Sequence, residues 1–230
     1  YNAGTYVPLD IDAFEVSDVV ETQPRDDIRV VRYFVQQPGA TAPDSGVVMS
    51  ADKAPRLSVF RWDDTAGHWV IVSHANFNTE ICDQAPIVMQ GQAPQVSAED
   101  LALGTSLVNQ WRDITTGVSK AKVRHPENQI QLADGRGWPT KDEKPIQWTP
   151  AKAYEAADIG VARNGDLLVA SFDAVTSDLT MEGNEYSATA SPRLMTYLQS
   201  PEGKWELIAL ANFTVPQDLP AGVDCVDIKQ

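Results

Sequence analysis

Few side chains in this sequence combine a reactive type with a suggestive position. His74 lies inside an alternating run, on the same strand face as Asn76, where an imidazole could work as a general acid or base near neutrality. The competing reading is a partly buried histidine bonded to its neighbours. Arg56 and Arg193 each follow a proline, and acidic residues recur with them, Glu15 with Glu155 and Asp18 with Asp158. A planar guanidinium–carboxylate pair tying a strand to a helix or loop is the economical assignment. The catalytic alternative makes Asp18 or Asp158 a general base in a desolvated pocket. Phe60, Trp111 and Tyr197 could wall an apolar ligand cavity, with Arg56, Asn76, Arg193 and Asn212 as polar contacts, and core packing predicts the same aromatic residues.

The remaining groups suggest little chemistry. His68 sits in a hairpin turn and is matched by Lys204, while His125 ends a basic stretch of Lys120, Lys122 and Arg124 that reads as solvated surface. Metal binding lacks support, because no histidines pair at helical spacing and no cysteines cluster. No phosphate loop or nucleophile elbow occurs, so no cofactor is expected.

The elements that must position these residues are written twice. Pro55-Arg56-Leu57, Gly67, Trp69, Ile71 and Ala75-Asn76-Phe77 return as Pro192-Arg193-Leu194, Gly203, Trp205, Leu207 and Ala211-Asn212-Phe213. Upstream, Phe14-Glu15 and Asp18-Val19 match Tyr154-Glu155 and Asp158-Ile159, and Asp27-Ile28 matches Asp166-Leu167. So long a period implies a duplicated domain rather than a solenoid. The expected division is a first unit over 1–82, a linker over 83–96 and a second unit over 97–230.

Within each copy, period-2 alternation predicts strands. Ile28 to Val35, Arg56 to Trp62 and Trp69 to Phe77 alternate, with hairpin turns at Asp63-Asp64-Thr65-Ala66-Gly67 and Ser200-Pro201-Glu202-Gly203. Trp69, Ile71, Ser73, Ala75 and Phe77 should share one face, as should Trp205, Leu207, Ala209, Ala211 and Phe213, and that face should meet a core or a partner sheet. Ser97-Ala98-Glu99-Asp100 reads as an N-cap opening a helix through Ile114, with Gly117 as its stop. A shorter helix over Val118 to His125 and a strand over Gln129 to Leu132 should follow.

The chain has 230 residues and a net charge of -14, a balance that disfavours nucleic acid and anionic membranes as partners. No apolar run approaches the roughly 18 residues of a membrane span, and no targeting segment is evident, so cytoplasmic and exported locations both stay open. Cys82 and Cys225 each follow the last matched strand of their unit, and either two free thiols or a bridge between the unit tails is compatible with that spacing.

A helical lead, an antiparallel block and a closing hairpin of the form Gly-x-Trp and Ala-Asn-Phe resemble the nuclear transport factor 2-like superfamily, in its polyketide-cyclase-like and ketosteroid-isomerase-like branch. The resemblance spans most of 97–214 and, through the duplication, 14–78. It implies an α+β fold: two tandem cone-shaped units of curved, mainly antiparallel sheet with helices packed on it. Only 13 residues precede Phe14, so the first unit should lack its amino-terminal helices, and a missing leading portion is the favoured explanation. The expected function is a soluble protein binding a small, largely apolar molecule in a cone pocket. Two competitors stand beside it: an isomerase- or cyclase-like enzyme moving a proton next to a carbonyl, in which ketosteroid-isomerase-like members use an Asp, and a non-catalytic assembly module. The resemblance also implies pairing of the two units through their sheets, an intrachain pseudo-dimer, and allows a further homo-oligomer.

Overall fold

The computed structural model describes residues 14–36, 40–41, 48–49, 53–77, 80–81, 96–139, 147–181, 183–186, 188, 190–214 and 225–226. Over these the chain is α+β, mostly sheet with one helix. Four strands, β1 (Glu15–Arg25), β2 (Ile28–Gln36), β5 (Lys53–Asp63) and β6 (His68–Asn76), form an antiparallel sheet in that order. Short strands β3 (Ala40–Thr41), β4 (Val48–Met49), β7 (Glu80–Ile81) and β17 (Cys225–Val226) form a small sheet in the order β17-β7-β4-β3. Cys225 lies opposite Glu80 there, while Cys82 and linker residues 83–95 fall outside the described residues.

The rest of the chain builds a larger sheet. Helix α1 (Ala98–Thr115) leads into β8 (Arg124–Leu132) and β9 (Gly137–Trp138), followed by β10 (Trp148–Thr149), β11 (Ala153–Asn164) and β12 (Leu167–Ser177). After β13 (Thr180–Met181) and β14 (Asn184–Glu185) come β15 (Ser191–Gln199) and β16 (Trp205–Asn212). The sheet order is β11-β12-β15-β16-β8-β9, antiparallel except where β8 runs parallel to β16. Strands β10, β13 and β14 form a small flap beside it.

Local chemistry explains the ends of these elements. Ser97 Oγ accepts from Asp100 N at 3.0 Å and caps α1, and Gly117, at φ 73, ends it. Asp63 Oδ1 accepts from Thr65 N and Ala66 N at 2.8 and 3.0 Å, and Gly67, at φ 68, completes the first hairpin. The expected helix over Val118 to His125 does not form. Residues 119–123 are irregular and β8 already begins at Arg124, because Pro126 cannot donate to a helical ladder and the chain must reach β16.

Both antiparallel blocks are bent at equivalent places. Register slips between Ser17 and Val20 in β1 and between Ala157 and Gly160 in β11, with Asp18 and Asp158 at φ 52 and 53. Aspartate tolerates this left-handed conformation better than most residues, and such bulges bend and twist a strand. A second slip leaves Val72 and Ile208 unpaired in β6 and β16. This overturns the expected strict alternation of faces, since the extra residue reverses it. Ala209 and Ala211 join the core between the sheets, whereas Leu207 turns toward the helix-side core. In the first block, Ala75 and Phe77 are buried but Ile71 is 61 % exposed, since among the described residues no helix lies over that face.

The larger sheet therefore has two buried faces. One packs on α1 so closely that a Cβ at Gly104 would lie 2.4 Å from Val161 Cγ2. The other packs on the first sheet, with Ile28, Val30, Leu57 and Val59 against Leu167, Leu198 and Ile208. Phe77 and Phe213 stack at 4.2 Å, and Ser73 and Thr196 hydroxyls share a 2.7 Å hydrogen bond across the seam. At its rim Asp166 takes Arg25 and Arg61 at 2.5 and 3.1 Å, while Asp27 holds Arg25 at 2.5 Å.

Candidate functional site

Between α1 and the larger sheet lies a cavity of about 70 Å³. Trp111 and Ile114 of α1, Ile130 and Leu132 of β8, and Met181 and Leu210 supply apolar wall. Its polar wall comes largely from two cross-strand pairs, Tyr154 opposite Thr176 on β11 and β12, and Arg193 opposite Asn212 on β15 and β16. The period-2 pleat turns each pair toward the helix side of the sheet. Trp111, Ile114, Arg124 and Trp148 also line an open cleft of about 750 Å³, with Lys120, Lys122 and His125 on its wall. Among the described residues, neither space is lined by a carboxylate.

Arg193 is 3 % exposed. Its Nη1 donates to Ser191 O, Ser191 Oγ and Pro192 O at 2.8 to 3.0 Å, and Nη2 donates to Thr214 Oγ1. Among the described residues no carboxylate reaches ion-pair distance of it, which corrects the expected pairing with Glu155 or Asp158. A guanidinium carries five N–H donors, so the Nε proton and one on Nη2 remain for another acceptor. Burial lowers the Arg193 pKa to about 10, with Tyr154 and Asp173 opposing the shift. Tyr154 is 7 % exposed and Thr176 1 %, and among the described residues neither hydroxyl has a hydrogen-bond partner. Burial pushes the Tyr154 phenol up to about 12, so it stays protonated and able to donate. Asn212 Oδ1 accepts from Thr214 N at 2.9 Å, leaving its amide N–H groups available.

Other sequence-derived candidates lie elsewhere. Tyr197 is buried in the helix-side core, and its hydroxyl donates to Leu107 O at 3.3 Å. Asp18 and Asp158 are exposed at their bulges, and neither lines the cavity or cleft, so neither sits in an enclosed pocket where it could meet a bound molecule. Asp18 lies 3.4 Å from Lys53. Arg56, Phe60, His74 and Asn76 belong to the first sheet. Arg56 Nη1 donates to Pro55 O at 2.9 Å, repeating the bond of Arg193 to Pro192 O. His74 Nδ1 is 2.9 Å from Ser58 Oγ, which is 3.1 Å from Tyr33 Oη. Burial, then the nearby Arg56 charge, holds the His74 pKa below its usual value. Ser58 has no exposed surface, so this Ser58–His74 pair does not present its hydroxyl as a nucleophile to a substrate.

Sequence reasoning found Trp111, Arg193 and Asn212 but missed Tyr154, Thr176 and Arg124 as wall residues. One signal was available for Tyr154: it carries a hydroxyl where the aligned sequence pattern has Phe14.

Comparison with known proteins gives structural likeness alone. No family model matches the chain, and no curated protein matches it. A conserved protein from Planctomyces limnophilus DSM 3776 is similar at 14 % identity and a TM-score of 0.36, covering 52 % of this chain and 98 % of that one. A nuclear transport factor 2-like superfamily protein from Salmonella enterica serovar Typhimurium LT2 is similar at 14 % identity and a TM-score of 0.35, covering 55 % and 99 %.

Proposed function

We propose that this chain is a tandem of two nuclear transport factor 2-like units joined through their sheets, and that the second unit binds a small, largely apolar molecule in its cone. The cavity beneath α1 carries this reading, because tryptophan and aliphatic side chains wall it and a few polar groups converge there. Among the described residues that inner wall carries no carboxylate or imidazole, which favours a binder over a proton-transfer enzyme. Equivalent bulges at Asp18 and Asp158, and the Phe77–Phe213 stack between matching positions, support the duplication and the intrachain pairing.

The test is a titration with indole, followed by NMR of the tryptophan indole N–H groups. Saturable shifts at Trp111 and Trp148, lost in a Leu210→Phe variant that fills the cavity, are expected. Shifts that do not saturate, or that survive the filling substitution unchanged, would refute the reading.

A further inference from the structure

We infer that the cavity recognises a carboxylate: its ligand is a small monocarboxylic acid whose anionic end meets Arg193, Tyr154, Thr176 and Asn212 and whose apolar body leaves past Trp111 and Trp148 into the cleft. This deepens the proposed function and rests on it.

Each polar group at the cavity offers at least one hydrogen-bond donor. Among the described residues Arg193 retains Nε–H and one Nη2–H, Asn212 retains its amide protons, and the Tyr154 and Thr176 hydroxyls each have a proton without a partner. These side chains are at least nine-tenths buried, where an unmade hydrogen bond is costly and a charged acceptor is worth most. An ionised carboxylate is acceptor-only, with two oxygens for about four donors, and its planar fork matches a guanidinium. A neutral hydrocarbon would leave every one of these donors unsatisfied.

Charge placement agrees. The chain carries a net charge of -14, yet among the described residues the cavity and the cleft are lined by Lys120, Lys122, Arg124, His125 and Arg193 and by no Asp or Glu. A cationic entrance on an acidic protein concentrates anions at one place. Size completes the assignment. The inner volume of about 70 Å³ takes a carboxyl group and a few carbons, and the bulk of a ligand must lie between Trp111 and Trp148 or in the 750 Å³ cleft.

Calorimetric titration of the intact chain with phenylacetate and with the isosteric, neutral phenylacetamide at pH 7 tests this. Phenylacetate should bind at least about tenfold more tightly, and its affinity should fall as salt rises. Thr176→Val and Tyr154→Phe keep the side-chain volume, and each should weaken phenylacetate about three- to tenfold while changing phenylacetamide less. Arg193→Gln should erase the preference, and the two milder variants keep the test valid if that protein does not fold. Equal affinity for acid and amide, both lost in Leu210→Phe, would overturn the anion assignment and leave the cone-binding reading standing. Binding of neither compound up to about 10 mM would overturn both.

Discussion

Replacing Thr176 by valine removes one hydroxyl from the cavity wall and puts a methyl group in its place. The side chain is 1 % exposed and its Oγ1 has no partner among the described residues, so the folded protein bears the desolvation cost of that hydroxyl without a compensating bond. Relieving such a cost is worth about 1–3 kcal/mol, and an added buried methyl contributes up to about 0.8 kcal/mol. Valine also suits a strand, and Thr176 lies in β12 opposite Tyr154. The variant should therefore be more stable than the parent by about 1–2 kcal/mol, raising Tm by about 2–8 °C in a chain of this size. Tyr154→Phe should gain about 1 kcal/mol by the same argument. Urea denaturation, fitted for midpoint at unchanged slope, measures both. If Thr176→Val instead loses about 1 kcal/mol or more, the hydroxyl has a partner in the folded protein and is not held in reserve for a ligand. Stability gained at a wall residue together with affinity lost there is the signature of a binding site.

Four further outcomes follow from other parts of the molecule. Gly104→Ala should destabilise by about 1–2 kcal/mol despite its gain in helix propensity, because the new methyl meets Val161, and pairing it with Val161→Ala should recover part of the loss in a double-mutant cycle. The Asp27 carboxyl is held below the ordinary 3.8 by Arg25, and burial of Asp166 is outweighed by Arg25 and Arg61, so their contribution is present above pH 3.8 and lost as pH falls through the lower folded values; Asp166→Asn should flatten that acid limb of a stability–pH curve. NMR titration should place His74 below 6.5, and because its folded pKa is depressed, stability should decline as pH drops below 6.5, a dependence that His74→Leu removes. Asp158→Val should cost about 1–2 kcal/mol at φ 53 while Asp158→Gly stays within about 0.5 kcal/mol, with neither changing phenylacetate affinity.

Much of the scaffold was legible because alternation and turn chemistry are local. Ser97 and Gly117 mark the ends of α1, and Gly67 and Gly203 mark the hairpins, through interactions spanning only a few residues. The bulges were not legible, since nothing at Val72 or Ile208 distinguishes an unpaired strand residue from a paired one, and the resulting face reversal sends Leu207 to the opposite core. Strand β8 was underestimated for a related reason: its pairing with β16 is parallel and long-range, and it overrides the weak local signal from Arg124 to Asn128. At the site, Arg193 and Asn212 stood out because they repeat. Thr176 has no such marker, and its importance comes from what surrounds it, a wall without a partner for its hydroxyl.

The stacked rings of Phe77 and Phe213 carry a consequence for how the molecule comes apart. A subunit interface of separate chains dissolves on dilution, but these two surfaces are tethered and meet at a fixed effective concentration. Melting should thus be a single event rather than one event per half. A fragment holding either half alone would bare aliphatic side chains such as Leu57 and Val59 on one side, or Leu198 and Ile208 on the other, and would find its own twin to cover them.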